Sequence, residues 1–160
     1  MRYRHTFKVH APIQVVSEFH TRSASMGAIT PPPVIVRVNS APEILGEGDR
    51  MDFTLCVGPL PIRWVAIIEN CSPSGFTDRQ LSGPFEYWSH HHHFLPVDEN
   101  RTEVIDEITF SIKKHPFWGI VGLGMSTSLP FLFAFRAWKT RRLLEQPRRV
   151  TTQKLPQKVK

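Results

Sequence analysis

The stretch FTDRQLSGPFEYWSHHHHFLPVDENRTEVIDEITF, residues 76–110, decides the fold that we predict for this chain. Two turn sequences, SGP at 82–84 and DENR at 98–101, divide it into three segments that each alternate in the manner of a β-strand. Successive side chains of a strand point to opposite faces, so each segment has one apolar face with a few polar members. Three such strands with short connections predict an antiparallel meander.

Alternation also predicts which side chains point inward. The predicted inner faces are Phe76, Asp78 and Gln80; Trp88, His90, His92 and Phe94; and Thr102, Val104, Asp106, Ile108 and Phe110. By the same count Phe85 falls on the outer face with Tyr87. We therefore expect the inner face to carry five polar groups, Asp78, Gln80, His90, His92 and Asp106.

The remaining patterns complete one α+β domain over residues 1–146. We predict strands near residues 3–10, 34–38, 50–57 and 62–69, short helices near 13–19 and 24–29, and a final helix from Leu129 to Glu145 capped by Thr127 or Ser128. A curved antiparallel sheet of about six to seven strands would wrap this long C-terminal helix. Where the helix does not fill the concave face, a pocket remains.

The net charge of +6 is concentrated at one end of the chain. Residues 139–160 contain eight Lys or Arg and one acid, so residues 1–138 sum to about −1. A nucleic-acid-binding domain carries its basic surplus on a folded face, so we predict no nucleic-acid partner. We predict that residues 147–160 are a disordered basic tail that is either solubilising or attracted to an anionic membrane or partner.

Residues 116–135 contain no charged side chain and are flanked by Lys and Arg at both ends. Their length suits a membrane span, but three glycines, two prolines and a Ser-Thr-Ser run weaken their hydropathy. We favour a buried core helix, and peripheral membrane contact through 116–135 and the basic tail is the alternative left open. Cys56 and Cys71 form no disulfide framework, and the chain begins without a secretory signal, which favours a cytoplasmic location.

The run of four histidines lies inside a predicted strand, so two point inward and two outward. His90 and His92 with Asp78 or Asp106 could chelate a metal, or act as a general base with its orienting acid. We favour a simpler interpretation, in which these polar groups satisfy one another, and we predict no metal and no cofactor. His90, His92, Asp78 and Asp106 remain the weak catalytic candidates, because no GxSxG, P-loop or Rossmann glycine motif is present.

The segments quoted above resemble the cyclase/dehydrase-like branch of the SRPBCC superfamily, the helix-grip proteins related to START domains and the major birch pollen allergen. The resemblance covers residues 3–145 and is most specific in Phe76-x-Asp78-x-Gln80, Gly83-Pro84-Phe85 and Trp88-x-His90-x-His92. It implies a cavity between the sheet and the C-terminal helix. The ligand-binding candidates are then Met26, Ile29, Phe53, Trp64, Phe76, Asp78, Gln80, Trp88, His90, His92, Phe131 and Phe135.

Three functions follow as expectations. The first is the binding or transport of a hydrophobic small molecule such as a lipid, isoprenoid or polyketide, and it is the one we favour. The second is a cyclase or dehydratase that uses a His/Asp pair. The third is a non-catalytic interaction module, which predicts a filled core without a cavity.

Overall fold

The computed structural model describes residues 1–145. Its strands are β1 (Arg2–Val9), β2 (Val34–Ser40), β3 (Arg50–Val57), β4 (Leu60–Ser72), β5 (Gly75–Ser82), β6 (Phe85–Asp98) and β7 (Arg101–Ile112). Its helices are α1 (Ile13–Thr21), α2 (Ser25–Ala28), α3 (Pro116–Thr127) and α4 (Leu129–Leu144). The prediction for residues 147–160 lies outside the described residues.

The seven strands form one antiparallel sheet in the order β1-β7-β6-β5-β4-β3-β2. Strands β2 to β7 follow one another as the predicted meander, whereas β1 lies at the far edge beside β7. The chain crosses from one edge of the sheet to the other between β1 and β2, and the two short helices α1 and α2 form this crossing. The α+β helix-grip architecture predicted from the sequence is confirmed.

The long helix α4 packs its buried side chains against the concave face of the sheet. Leu129, Phe133 and Ala137 recur at a spacing of four residues, so they lie on one face of the helix, and they share one core cluster with Trp88 and Val104. Burial of a phenylalanine side chain such as Phe133 contributes about 2–3 kcal/mol. The packing of α4 therefore depends on this face of the helix.

Most side chains of the predicted inner faces of β5 to β7 point into this core, and one residue predicted outside joins them. Phe85 is fully buried and packs against Trp64 and Trp88, although simple alternation placed it on the outer face. The register between β6 and β7 shifts between Phe85 and Tyr87, and this irregularity turns the Phe85 ring inward. Sequence alternation alone gives no sign of this shift.

The segment preceding α4 is not the buried core helix that we predicted. It forms a separate helix, α3, on which Phe117, Ile120 and Leu123 are 49%, 74% and 54% exposed. Only Gly122 of α3 is buried, and a Cβ at that position would lie 3.6 Å from the Phe85 ring. One side of this helix therefore faces the fold, with Trp118, Val121 and Met125 half-buried, and the other side is left uncovered.

Helix α4 begins at Leu129, directly after α3, with Ser128 as the N-cap residue between them. Ser128 stands at the predicted cap position, but its hydroxyl donates to the carbonyl of Met125 and not to α4. Within residues 1–145, no single helix is long and apolar enough to cross a bilayer. Helices α3 and α4 reach that length and composition only together, and they are bent by 48° at the break.

Candidate functional site

A cavity of about 500 Å³ lies between the concave face of the sheet and the helices. Its wall is mostly apolar, and side chains of β3 and β4 such as Phe53 and Trp64 face α3 and α4 across it. Met26 of α2 and Ile29, which follows α2, also line the cavity. The core is thus not filled, and the interaction-module hypothesis, which required a filled core, is wrong on this point.

The structure brings ten of the twelve ligand-binding candidates to this one cavity. They are Met26, Ile29, Phe53, Trp64, Phe76, Asp78, Trp88, His90, His92 and Phe131. A shared location does not by itself give these residues a role in holding a ligand. Trp64 adds one unusual feature, because its buried indole N–H has no hydrogen-bond partner among the described residues.

The two other candidates do not line the cavity. The Gln80 side-chain amide donates to the carbonyl of Phe85 at 2.8 Å, and its oxygen accepts from the Phe85 amide at 3.3 Å. Gln80 thus bridges the turn between β5 and β6, and a Cβ at Gly83 would collide with its side chain. Phe135 instead packs on Trp138 at a ring distance of 5.4 Å.

The polar groups of the cavity centre on four side chains that we name the His–Asp cluster: Asp78 of β5, His90 and His92 of β6, and Asp106 of β7. Strand register sets them side by side, because Asp78 lies opposite His90 and Asp106 lies opposite His92. The hydrogen bonds run along the diagonals. His92 Nε2 is 3.1 Å from Asp78 Oδ2, and His90 Nε2 is 2.9 Å from Asp106 Oδ1.

The directly opposed pairs of the cluster are also close. His90 Nδ1 lies 3.2 Å from Asp78 Oδ2, and His92 Nδ1 lies 3.2 Å from Asp106 Oδ1. The latter contact is short enough for an ion pair but does not have the geometry of a hydrogen bond. Each imidazole nitrogen therefore faces a carboxylate, but the buried Nδ1 of His92 makes no hydrogen bond among the described residues, so these polar groups satisfy one another only in part.

The electrostatics of the cluster favour its charged form. Burial acts to raise the pKa of Asp78 and of Asp106, but the neighbouring His90 and His92 outweigh it and hold both pKa values well below their usual range. Burial acts to lower the pKa of His90, and the two carboxylates beside it raise that pKa above its ordinary value. His90 therefore lies between two carboxylates that favour its protonated form.

Asp78 is the most exposed member of the cluster. Its side chain is 24% exposed, whereas the other three are nearly fully buried. The close approach of Gly75 to β6 supports this corner of the site. Gly75 has a φ of 146°, and a Cβ there would collide with the carbonyl oxygen of His92.

His20, which the sequence analysis missed, lines the same cavity from the end of α1. Its Nδ1 lies 2.8 Å from the Val16 carbonyl oxygen and donates to it, which leaves Nε2 as the acceptor of a neutral ring. Burial, and secondarily the nearby His92, lower its pKa to about 4. No local motif marks this residue, because its position depends on how α1 docks on β6.

Arg136 of α4 is the second missed residue, and it brings a cation to the cavity wall. Its guanidinium lies 5.2 Å from the ring centre of Phe133, which in turn packs edge-on against His90 at 5.4 Å. Within residues 1–145, Arg136 makes no ion pair with an acid. Its spacing from Leu129 and Leu132, which also line the cavity, was the available sequence signal.

A metal ion would find a donor set in the same corner. Asp78, His90 and His92 offer ligand atoms that all lie within 4.8 Å of one another, and carboxylate and imidazole are donors that Zn²⁺ accepts. A metal requires neutral imidazoles, however, and the raised pKa of His90 opposes the loss of its proton. The described residues could thus hold a metal only by giving up the ion pairs that now join them.

A curved sheet that grips a long C-terminal helix around an apolar cavity is the helix-grip fold, which the sequence resemblance implied. Solved structures confirm the fold. The Zhui aromatase/cyclase from a Streptomyces strain superimposes with a TM-score of 0.64 at 19% identity, covering 89% of this chain and 95% of that chain. A START superfamily protein from Mycobacterium smegmatis gives 0.65 at 8% identity, covering 91% and 97%.

A norcoclaurine synthase from Thalictrum flavum, crystallised with a transition-state analogue, is a third structural neighbour. It gives a TM-score of 0.64 at 14% identity, with coverage of 91% of this chain and 94% of that chain. No family model and no curated protein sequence matches the chain. At these identities the likeness shows the fold alone.

Proposed function

We propose that this protein binds a hydrophobic small molecule, of the size of a lipid, isoprenoid or polyketide, in the cavity under α3 and α4. The observation that carries the proposal is a mostly apolar cavity of about 500 Å³ with a few polar side chains in its wall, among them Asp78, His90 and His92. Ligand pockets have this composition and fall in the range of about 300–1,000 Å³. Removal of apolar ligand surface from water contributes about 25 cal/mol per Å².

The polar side chains of the wall indicate where the polar end of a ligand would bind. Asp78 and His20 offer acceptors, whereas Arg136 offers donors and a positive charge. The free indole N–H of Trp64 would gain an acceptor if a ligand oxygen reached it. A molecule with a long apolar body and one oxygenated end would satisfy both parts of the cavity.

The second candidate is a cyclase or dehydratase, and one structural neighbour, the Zhui protein, is an aromatase/cyclase. The observation that favours it is His20, a neutral imidazole on the cavity wall 6.1 Å from the His92 ring, although its pKa of about 4 makes it a weak base. The His–Asp cluster itself supports it less, since each nitrogen of His90 already faces a carboxylate. Binding without chemistry therefore remains the function that the geometry supports best.

The test is native mass spectrometry of the full chain purified from its own host, followed by extraction of whatever is bound. A stoichiometric apolar molecule is the expected result. The cavity-filling variant Ala66→Phe should lose it, because Ala66 lines the cavity, while its thermal stability is kept or raised. Leu95→Ala, at an exposed position of β6, is the control that should retain the ligand.

A ligand-free wild type that also binds none of a lipid and polyketide panel would overturn the proposal. Should Ala66→Phe fold poorly, Ala66→Leu fills less volume and serves the same comparison. The enzymatic alternative is tested with the extracted molecule: His20→Gln, His90→Gln and His92→Gln are assayed separately for turnover. Retained binding with no turnover in any protein, wild type included, would remove support for catalysis.

A further inference from the structure

The exposed face of α3 is the most unusual surface of this molecule. Residues 116–127 contain no charged side chain, and the apolar residues extend around the whole helix. A helix of this composition is normally buried in a core or in lipid, yet Phe117, Ile120 and Leu123 are about half exposed or more. Their spacing of three residues places them on one side of the helix.

The cavity opens at the same surface. A residue that lines the cavity and is also exposed to solvent marks the mouth, and Ile120 and Phe131 are 74% and 65% exposed. Val57 of β3 and the prolines 32 and 33 complete this rim. The apolar face of α3 and the rim of the cavity therefore form one continuous apolar region, which we name the mouth surface.

Positive charge lies beside the mouth surface. Lys113 and Lys114 stand directly before α3. Lys139, Arg141 and Arg142 lie at the far end of α4, where Arg141 donates to the Lys8 carbonyl. The sequence of residues 146–160 contains five further Lys or Arg and no acid. Apolar side chains with basic ones beside them are a surface pattern that binds an anionic bilayer, because burial and charge attraction act together.

We infer that the mouth surface docks on an anionic lipid bilayer, so that the cavity opens towards the membrane. Phe117, Ile120 and Leu123 enter the boundary between headgroups and acyl chains, and the neighbouring Lys and Arg side chains contact the headgroups. This inference goes beyond ligand binding and does not require it, since docking depends on the outer surface alone. A docked mouth would let an apolar molecule pass between bilayer and cavity without crossing water.

The test is cosedimentation of the full chain with vesicles of phosphatidylcholine alone and of phosphatidylcholine with phosphatidylserine. We expect binding to the anionic vesicles that weakens as salt is added. The variant Phe117→Asp with Leu123→Glu should bind at least about tenfold more weakly. Neither residue lines the cavity, and an acid at 117 suits the helix N-terminus, so the fold should be kept.

Two comparisons make the result specific. Leu95→Glu changes an apolar residue of similar exposure on β6, away from the mouth surface, and should bind vesicles like the wild type. Replacing Lys114, Arg148 and Arg149 with Gln should weaken binding to anionic vesicles by about fivefold for each charge. Binding of an apolar dye such as Nile red, measured without vesicles, should be equal in the wild type and in the α3 variant.

Any of three results would overturn the inference. The first is a wild type that stays in the supernatant with anionic vesicles, and the second is a bound fraction that the α3 variant does not change. The third is a dimer, seen by light scattering, that the same α3 variant dissociates, because a second copy of the chain would then cover this face. Ligand binding that persists in the dye assay would separate a failure of docking from a failure of the proposed function.

Discussion

His90 and Asp106 are joined by a 2.9 Å contact from Nε2 to Oδ1, although they do not stand opposite each other in the sheet. Asp106 pairs in register with His92, and His90 pairs with Ile108. The hydrogen bond therefore crosses the strand pair diagonally. The matching diagonal from His92 to Asp78, at 3.1 Å, makes the cluster reciprocal and gives each carboxylate two imidazole neighbours.

Removal of one carboxylate from the His–Asp cluster should be costly. In Asp106→Asn the buried imidazolium of His90 loses one of its two carboxylates, so we expect the free energy of unfolding to fall by about 3 kcal/mol. Urea denaturation measures this loss. In the His90→Gln variant, Asp106→Asn should lower the free energy of unfolding by clearly less, because no buried cation is then left without its partner.

An exposed ion pair provides the comparison for this prediction. Asp52 forms a 2.6 Å ion pair with Arg63 at the surface of the sheet, and Asp52→Asn should leave the denaturation midpoint nearly unchanged. Equal losses for Asp52→Asn and Asp106→Asn would show that the cluster carries no special stability.

The stability should depend on pH in the mildly acidic range because of His20. Its pKa in the folded protein is about 4, chiefly because the ring is buried, against an ordinary value of 6.5. As the pH falls from 6.5 to 4, the unfolded chain takes up a proton that the folded protein refuses, so the free energy of unfolding decreases, by about 3 kcal/mol at most. Urea denaturation of the wild type at several pH values would show this slope.

His20→Gln should flatten that slope, since glutamine does not titrate. The carboxylates of the His–Asp cluster affect the stability in a different, more acidic pH range. Their pKa values are held low, so the stability they contribute is lost only below the ordinary Asp pKa of about 4. An unchanged slope in His20→Gln would mean that His20 is not the group that resists protonation.

Arg136 should select the polar end of the ligand. We expect a long-chain carboxylic acid to bind more tightly than the alcohol of the same length, because the guanidinium has no carboxylate partner within residues 1–145. In Arg136→Gln the preference should shrink by about tenfold, the size of one charge-assisted hydrogen bond. Isothermal titration calorimetry measures both affinities.

The nearby cation Lys139 is the control for Arg136. It lies over the Trp138 ring on α4 and does not line the cavity, so Lys139→Gln should keep the preference for the acid. A preference that is the same in all three proteins would remove Arg136 from the ligand site.

The protein should contain no stoichiometric metal when it is purified without chelator. The four side chains of the His–Asp cluster already pair with one another at 2.9–3.2 Å, and a cation would have to displace protons that the carboxylates stabilise. Metal analysis by inductively coupled plasma mass spectrometry tests this. One zinc per chain that is lost in His92→Gln would contradict it and establish a metal site.

Much of the fold could be predicted because it depends on local patterns. Period-two alternation in β5 to β7 placed Phe76, Trp88 and Val104 on the inner face, where they are buried. Alternation failed at Phe85, because the shift in the β6–β7 register depends on the partner strand. It also placed Gln80 in the cavity, although its amide is held by the backbone of Phe85.

The candidate site could be predicted only in part. His90, His92 and Asp78 come from neighbouring strands, so alternation and short turns were enough to bring them together. His20 and Arg136 come from helices far away in sequence, and no pattern in their own segments specifies where α1 and α4 dock on the sheet. The two missed residues are therefore the ones whose position is set by helix packing.

The sequence by itself determined the order of the seven strands and of α1, α2 and α4 along the chain, most of the inward set of side chains, and the concentration of basic charge at one end of the chain. These properties are local, since they follow from residue alternation, turn residues and composition. The tertiary structure decided that α3 lies on the surface, that a cavity remains beneath it, and that His20 and Arg136 reach the same cavity as the His–Asp cluster. These properties depend on how the helices fill a curved sheet, and the volume left over depends on all of the packed side chains together.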